Sequence, residues 1–182
     1  MSLPNALSLC EDFNKVVYRY HNPRWSYAPT SGQGAAQRGG RFNRPKTEAL
    51  YTSLDITTSF YEAAQGMISK PAPLTLCSYK TDLTQILDLT SNANKQALGI
   101  SDDQLGCAWR LEKIKGNDPV SWLIADDLMG QGVAGILVKS HAPNLVKDGV
   151  NLVLWDWSET RPNKVTVFDP FGNLPKNQDS WK

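Results

Sequence analysis

The alternation of apolar and polar positions divides the chain into short strands and amphipathic helices. Val16-Val17-Tyr18-Arg19-Tyr20 is β-branched and aromatic and predicts a first strand. Pro23, Pro29 and the glycines from Gly32 to Gly40 then predict a long irregular loop. Ala49-Leu50-Tyr51-Thr52-Ser53 reads as a second strand, and residues 57–68 as a helix with Phe60, Ala63, Ala64 and Met67 on its apolar side, stopped by Pro71 and Pro73. Residues 74–79 and 85–89 read as two strands separated by a turn at Lys80-Thr81-Asp82, a sheet edge or hairpin.

Two helix starts are visible further on. Ser101-Asp102-Asp103-Gln104 matches a capping box, and Asp118-Pro119 offers an N-cap with proline at the first helical position before Val120, Leu123, Ile124 and Leu128. Gly130 and Gly132 end that second helix. Residues 135–140 predict a buried strand, with late strands at 150–157 and 164–168. The tail after Asp169 is mostly polar, with Pro170, Gly172 and Pro175, and reads as a surface extension. Strands in irregular order with helices between them, and no glycine-rich turn after the first strand, predict an α+β fold of mixed small sheets with flanking helices rather than a Rossmann unit.

Composition narrows the class. At 182 residues and 41% hydrophobic content the chain can bury roughly two-thirds of its unfolded surface, so one domain is expected, with a core over 16–169 and a tail over 170–182. The formal net charge is +1, too small to draw the protein onto nucleic acid or an anionic membrane. No segment approaches the roughly 20 apolar residues that span a bilayer, and the amino terminus lacks a signal-peptide pattern, so a cytoplasmic location is expected. Cys10, Cys77 and Cys107 are odd in number and widely spaced, which predicts reduced packing cysteines, with neither disulfide nor metal site.

The unusual chemistry begins in the loop. Between Gly32 and Arg44 the chain runs Gly-Gln-Gly-Ala-Ala-Gln-Arg-Gly-Gly-Arg-Phe-Asn-Arg. Bare backbone there can approach a diphosphate, and Arg19, Arg38, Arg41 and Arg44 can supply forked donors; a solvated basic loop is the plain alternative. Arg19, set in a strand between two tyrosines, needs an anion or carboxylate partner if it is buried. Glu62 has two readings: Ser59-x-x-Glu62 satisfies a capping box, and a fixed carboxylate can also stabilise a ribosyl cation. Tyr51 is either a core aromatic or a stacking face for a planar cationic ring. Ser140 is either a strand-end hydroxyl or part of the site, with no GxSxG elbow around it. His21 and His141 show no triad or metal spacing.

Taken in order, Tyr18-Arg19-Tyr20, Gly39-Gly40-Arg41-Phe42-Asn43, Leu50-Tyr51-Thr52-Ser53, Glu62, the strand ending at Ser140, and Asn151-Leu152-Val153-Leu154 resemble the RES domain, the toxin half of Xre–RES toxin–antitoxin pairs. The family is named for an arginine, a glutamate and a serine, which fall on Arg19 or Arg41, on Glu62 and on Ser140. The resemblance implies an ADP-ribosyltransferase-like fold of the diphtheria-toxin-like branch, with NAD as substrate, not cofactor, in a cleft between two small sheets. It implies that Glu62, Arg41 and Ser140 act in the chemistry, and that Arg19, Tyr20, Arg41, Asn43, Tyr51 and Asn151 bind NAD, Tyr51 by stacking on nicotinamide. The implied reaction is cleavage of the nicotinamide–ribose bond by water or phosphate, depleting NAD and arresting growth, or transfer of ADP-ribose to a protein. A binding module without catalysis is the rival from another class. The implied partner is an Xre-type helix-turn-helix antitoxin, which would carry the DNA contact, in a complex with room for a toxin homodimer. Two departures stand out: Phe42 where tryptophan is common, and Arg44-Pro45-Lys46 in place of a proline-glycine turn.

Overall fold

A computed structural model describes residues 2–64, 72–143 and 148–179. Its strands are β1 (Cys10–Phe13), β2 (Val16–His21), β3 (Leu50–Ser53), β4 (Thr75–Asp88), β5 (Gly135–Lys139), β6 (Val150–Leu154) and β7 (Lys164–Val167). The helices are α1 (Gln33–Arg38), α2 (Ile56–Ala64), α3 (Asn92–Leu98), α4 (Asp102–Leu105), α5 (Trp109–Ile114) and α6 (Val120–Gly130). The class is the expected mixed α+β.

The expected hairpin over 74–89 is instead one continuous strand. Cys77, Tyr79, Thr81 and Leu83 are buried on alternate positions, so the period of two runs straight through Lys80-Thr81-Asp82. Thr81 is buried and donates its hydroxyl to the Lys15 carbonyl at 2.7 Å, while Lys80 and Asp82 pair with Thr166 and Lys164 of β7. The polar triplet that mimicked a turn is satisfied within a ladder. Gln85, at φ 58°, then shifts the strand's facing, so that Ile86 and Leu87 are both buried.

That long strand joins the two halves of the sheet. Its first part pairs with β2 and β7, and its second with β1 and, in parallel, β5. With β3 against β6 and β6 against β5, the sheet closes on itself. Val17, Leu50, Tyr79, Leu83, Leu152 and Leu154 fill one core cluster. A second cluster gathers Leu87, Ile136 and Val138 from the strands with Ile124, Ala125 and Leu128 of α6. Each fully buried Val, Leu or Ile among them stabilises by about 1.5–3 kcal/mol before entropy is counted.

Other expectations shift for local reasons. The loop over 32–40 contains α1, because Ala35-Ala36-Gln37-Arg38 are good helix formers and Gly39 (φ 72°) ends the turn. Asp118 does not cap α6; Pro119 is the N-cap and Asp118 turns to Arg44. The Ser101 capping box is present and opens α4. α2 is described as far as Ala64, and the expected continuation through Met67, with the stop at Pro71, lies outside the described residues. β1, α3 and α5 had no clear pattern in the sequence. Each is seven residues or fewer, too short to show a period.

Candidate active site

The site forms where the sheet opens. β2 and β3 share a single register pair, Tyr18 with Ser53, whereas β2 pairs with β4 over six residues and β3 with β6 over four. Beyond Tyr18 the backbone of β2 turns to the helix: the Tyr20 N–H donates to Ser59 Oγ of α2 at 3.0 Å. A cleft of about 1080 Å³ opens there, with Arg19 and Tyr20 on one wall and Tyr51, Thr52 and Ser53 on the other.

Glu62 is delivered by α2. Asp55 starts that helix, accepting from the Thr58 N–H at 2.8 Å and the Thr58 hydroxyl at 2.6 Å. Helical spacing then sets Thr58, Ser59 and Glu62 on one face, toward the sheet. The capping-box reading of Glu62 is therefore overturned, because Ser59 lies inside the helix and the cap is Asp55.

Two donors from different elements converge on that carboxylate. Ser140, just past β5, donates its hydroxyl to Glu62 Oε1 at 2.6 Å and accepts from the Ala142 N–H. Asn151 of β6 donates Nδ2 to the same oxygen at 2.5 Å. Ser53 donates to Asn151 Oδ1 at 2.7 Å and fixes which end of the amide faces Glu62. Both donors fall on Oε1, so Oε2 is the oxygen available to a ligand. Ser53 was missed in the sequence because a strand-end serine carries no signal by itself.

The arginines divide into two kinds. Arg19 is half-buried, and that burial lowers its guanidinium pKa. Of the anion or carboxylate expected to meet it, no carboxylate among the described residues does; Nη1 donates to the carbonyls of Pro29 and Ser31 at 3.2 and 3.0 Å. Arg41 is likewise lowered chiefly by burial, and donates to the carbonyls of Leu105 and Cys107. Both guanidinium groups border the cleft and, among the described residues, donate to neutral carbonyls, so an anion bound there would meet their charge. Arg44 is different: it bridges Asp118 and Asp126 at 2.6 Å each, lies over the Trp122 ring, and is not a phosphate donor.

Asn43 is also not a ligand-facing residue. It is fully buried, its Nδ2 donates to the carbonyls of Ala35, Arg44 and Thr47, and its Oδ1 accepts from the Tyr51 hydroxyl at 2.8 Å. Tyr51 in turn accepts from the Phe42 N–H at 3.0 Å, which ties the glycine–arginine segment to β3 and leaves the ring along the cleft. Gly40 is dictated by this packing, since a Cβ there would stand 2.4 Å from the Tyr51 hydroxyl.

His21 lies away from the cleft, buried near Ser26. His141 lines the cleft and a side cavity of about 200 Å³ with Leu89, Asp102, Leu105 and Lys139. Burial, then the Arg41 charge, lowers its pKa. The three cysteines are free; Cys107, expected to be simple packing, lines the cleft and reaches Ser121 Oγ at 3.3 Å.

The geometry defines a mixed α+β fold whose sheet borders an arginine-lined cleft, with Glu62 the one carboxylate among its described lining residues. The RES domain family model matches residues 16–177, and the chain belongs to that family. Among solved structures it is similar to the M. tuberculosis MbcT–MbcA toxin–antitoxin complex, at 22% identity and a TM-score of 0.61, covering 91% of this chain and 90% of that chain. At that identity the likeness is one of fold. A search of the curated proteins finds no match.

Proposed function

We propose that this chain is the toxin of a toxin–antitoxin pair, and that its cleft binds NAD and breaks the bond between nicotinamide and ribose. The observation that carries the reading is the convergence of Ser140 and Asn151 on Glu62 Oε1. A carboxylate held by two donors keeps its aim, and its other oxygen can lie against the ribosyl cation that forms as nicotinamide leaves. The electron pair of the breaking C–N bond neutralises the pyridinium nitrogen. The oxygen of water or inorganic phosphate then bonds the anomeric carbon, and its proton passes to solvent.

Tyr51 supplies an aromatic face for the cationic ring, while Arg19 and Arg41 supply charge for the diphosphate. Tyr20 lines the same wall as Arg19. The partner is an Xre-type helix-turn-helix antitoxin that carries the DNA contact, in keeping with the +1 charge of this chain and with the toxin–antitoxin complex of similar fold. No helix among the described residues is long and apolar enough to cross a membrane.

The test is nicotinamide release from NAD by purified chain, with and without phosphate. Glu62→Gln should retain the fold and reduce the rate by about 10²–10³-fold. Release that survives this substitution sinks the role of Glu62. No release until cell extract is added, followed by labelling of a protein, shows transfer of ADP-ribose instead.

A further inference from the structure

The cleft is lopsided in charge. Arg19, Arg38, Arg41, Arg110, Lys113 and Lys139 line it, against Glu62 as the one carboxylate among its described lining residues. A diphosphate attached to a cationic nicotinamide accounts for Arg19 and Arg41 near Glu62. It does not by itself call for Arg38 and Lys113, which line the same cleft at the end where α1 and α5 meet.

At that end Lys113 Nζ donates to the main-chain oxygen of Arg38 at 2.6 Å, setting a lysine and an arginine on the same rim. Beside them Trp109 carries the Arg110 guanidinium 5.2 Å from its ring centroid. Leu111 and Ile114 are apolar yet 50% and 82% exposed. The wall is thus aromatic and apolar, edged with cations. Glu112, the carboxylate of α5, is turned away to Lys115 and Asn117 at 3.1 and 2.9 Å.

Dinucleotide sites read the adenosine ribose by the sign of the residue beside it. A carboxylate accepts the 2′-hydroxyl, whereas a basic residue accommodates a 2′-phosphate. We propose that the α1–α5 rim binds a phosphate on the adenosine ribose through Arg38 and Lys113, with the purine against Trp109, so that the preferred substrate is the phosphorylated dinucleotide NADP. This rests on the NAD-cleavage reading, which sets the nicotinamide end at Glu62. The extra phosphate adds about −1.5 to −2 charges, which the rim meets with two cations and, among the described lining residues, no carboxylate but Glu62.

The test compares nicotinamide release from NADP, NAD and nicotinamide mononucleotide by the full chain, at low and high salt. The expected kcat/KM for NADP exceeds that for NAD by about tenfold, a gap that high salt narrows. Arg38→Ser combined with Lys113→Ser should bring the NADP-to-NAD ratio close to one. Trp109→Ala should bring both dinucleotides toward the rate of the mononucleotide. Cleavage of NAD at least as fast as NADP, or a ratio that the double substitution leaves in place, overturns the proposal. If neither dinucleotide loses nicotinamide, the cleavage reading fails, and calorimetric binding of the two to the same chain decides this one. Tighter NADP, weakened by the double substitution, supports it; equal or weaker NADP overturns it.

Discussion

Ser53 Oγ and Asn151 Oδ1 lie 2.7 Å apart, and that bond turns the amide so that Nδ2 meets Glu62. Ser53 sits opposite Asn151 in the β3–β6 register, so the sheet itself places the orienting group behind the donor. Ser53→Ala removes the orientation without touching the carboxylate. The expected result is a rate of nicotinamide release reduced about 10-fold or more, of the size seen when an outer hydrogen-bond partner is lost, with about 1 kcal/mol less stability. Steady-state kinetics and urea unfolding check it.

Asn151→Asp replaces the donor with a second carboxylate against Glu62 Oε1. Two carboxylates at hydrogen-bond distance share a proton, and the pair titrates as a unit with one pKa raised. The variant should lose activity near pH 7 and regain part of it in a more acidic window. A pH–rate profile with the shape of the unsubstituted chain would contradict this.

His21 makes stability depend on pH. Burial, reinforced by the Arg19 charge, lowers its pKa from 6.5 to about 4. The unfolded chain therefore binds the proton more readily, and stability rises with pH between those values. It is full above the ordinary histidine value and falls as pH drops toward 4, by up to about 3 kcal/mol. Unfolding midpoints measured from pH 4 to 7.5 should show this slope, and His21→Gln should flatten it.

Arg44 is predicted to support the fold, not the chemistry. Its two carboxylate contacts are partly exposed, at side-chain accessibilities of 30% for Arg44, 54% for Asp118 and 38% for Asp126, so screening limits each. With the Trp122 ring beneath the guanidinium, Arg44→Met should cost about 1–2 kcal/mol, less at high salt. Thermal unfolding at two salt concentrations reads the difference.

Tyr51→Phe keeps the ring and removes the hydroxyl. The Phe42 N–H loses its acceptor and Asn43 Oδ1 its donor, so about 1–3 kcal/mol of stability should go. A variant as stable as the original would show that water replaces the hydroxyl.

The sequence displayed the parts of this site that share a local pattern. Arg19 was marked by its place between two tyrosines, and Glu62 by its place on a helix after a strand. Their long-range partners followed only from the family resemblance, since nothing local links Glu62 to Ser140 and Asn151, 78 and 89 positions away. Arg44 reads as a ligand residue because a Gly/Arg-rich stretch has the same composition whether it holds a phosphate or its own backbone, and Asn43 because the family resemblance implies it. Only their partners, three carbonyls and two aspartates, distinguish the cases. The long β4 was hidden by Lys80-Thr81-Asp82, whose polarity reflects β7, a strand that arrives more than 80 residues later.

The separation of Glu62 from its two donors along the chain also orders events in time. During synthesis α2 is complete long before Ser140 and Asn151 have been made, and until β5 and β6 join the sheet the carboxylate has neither donor. On the proposed function, the growing chain therefore lacks the arrangement its chemistry needs. A chain cut short before residue 151 would carry the glutamate and the arginines without the Asn151 donor that helps hold that carboxylate.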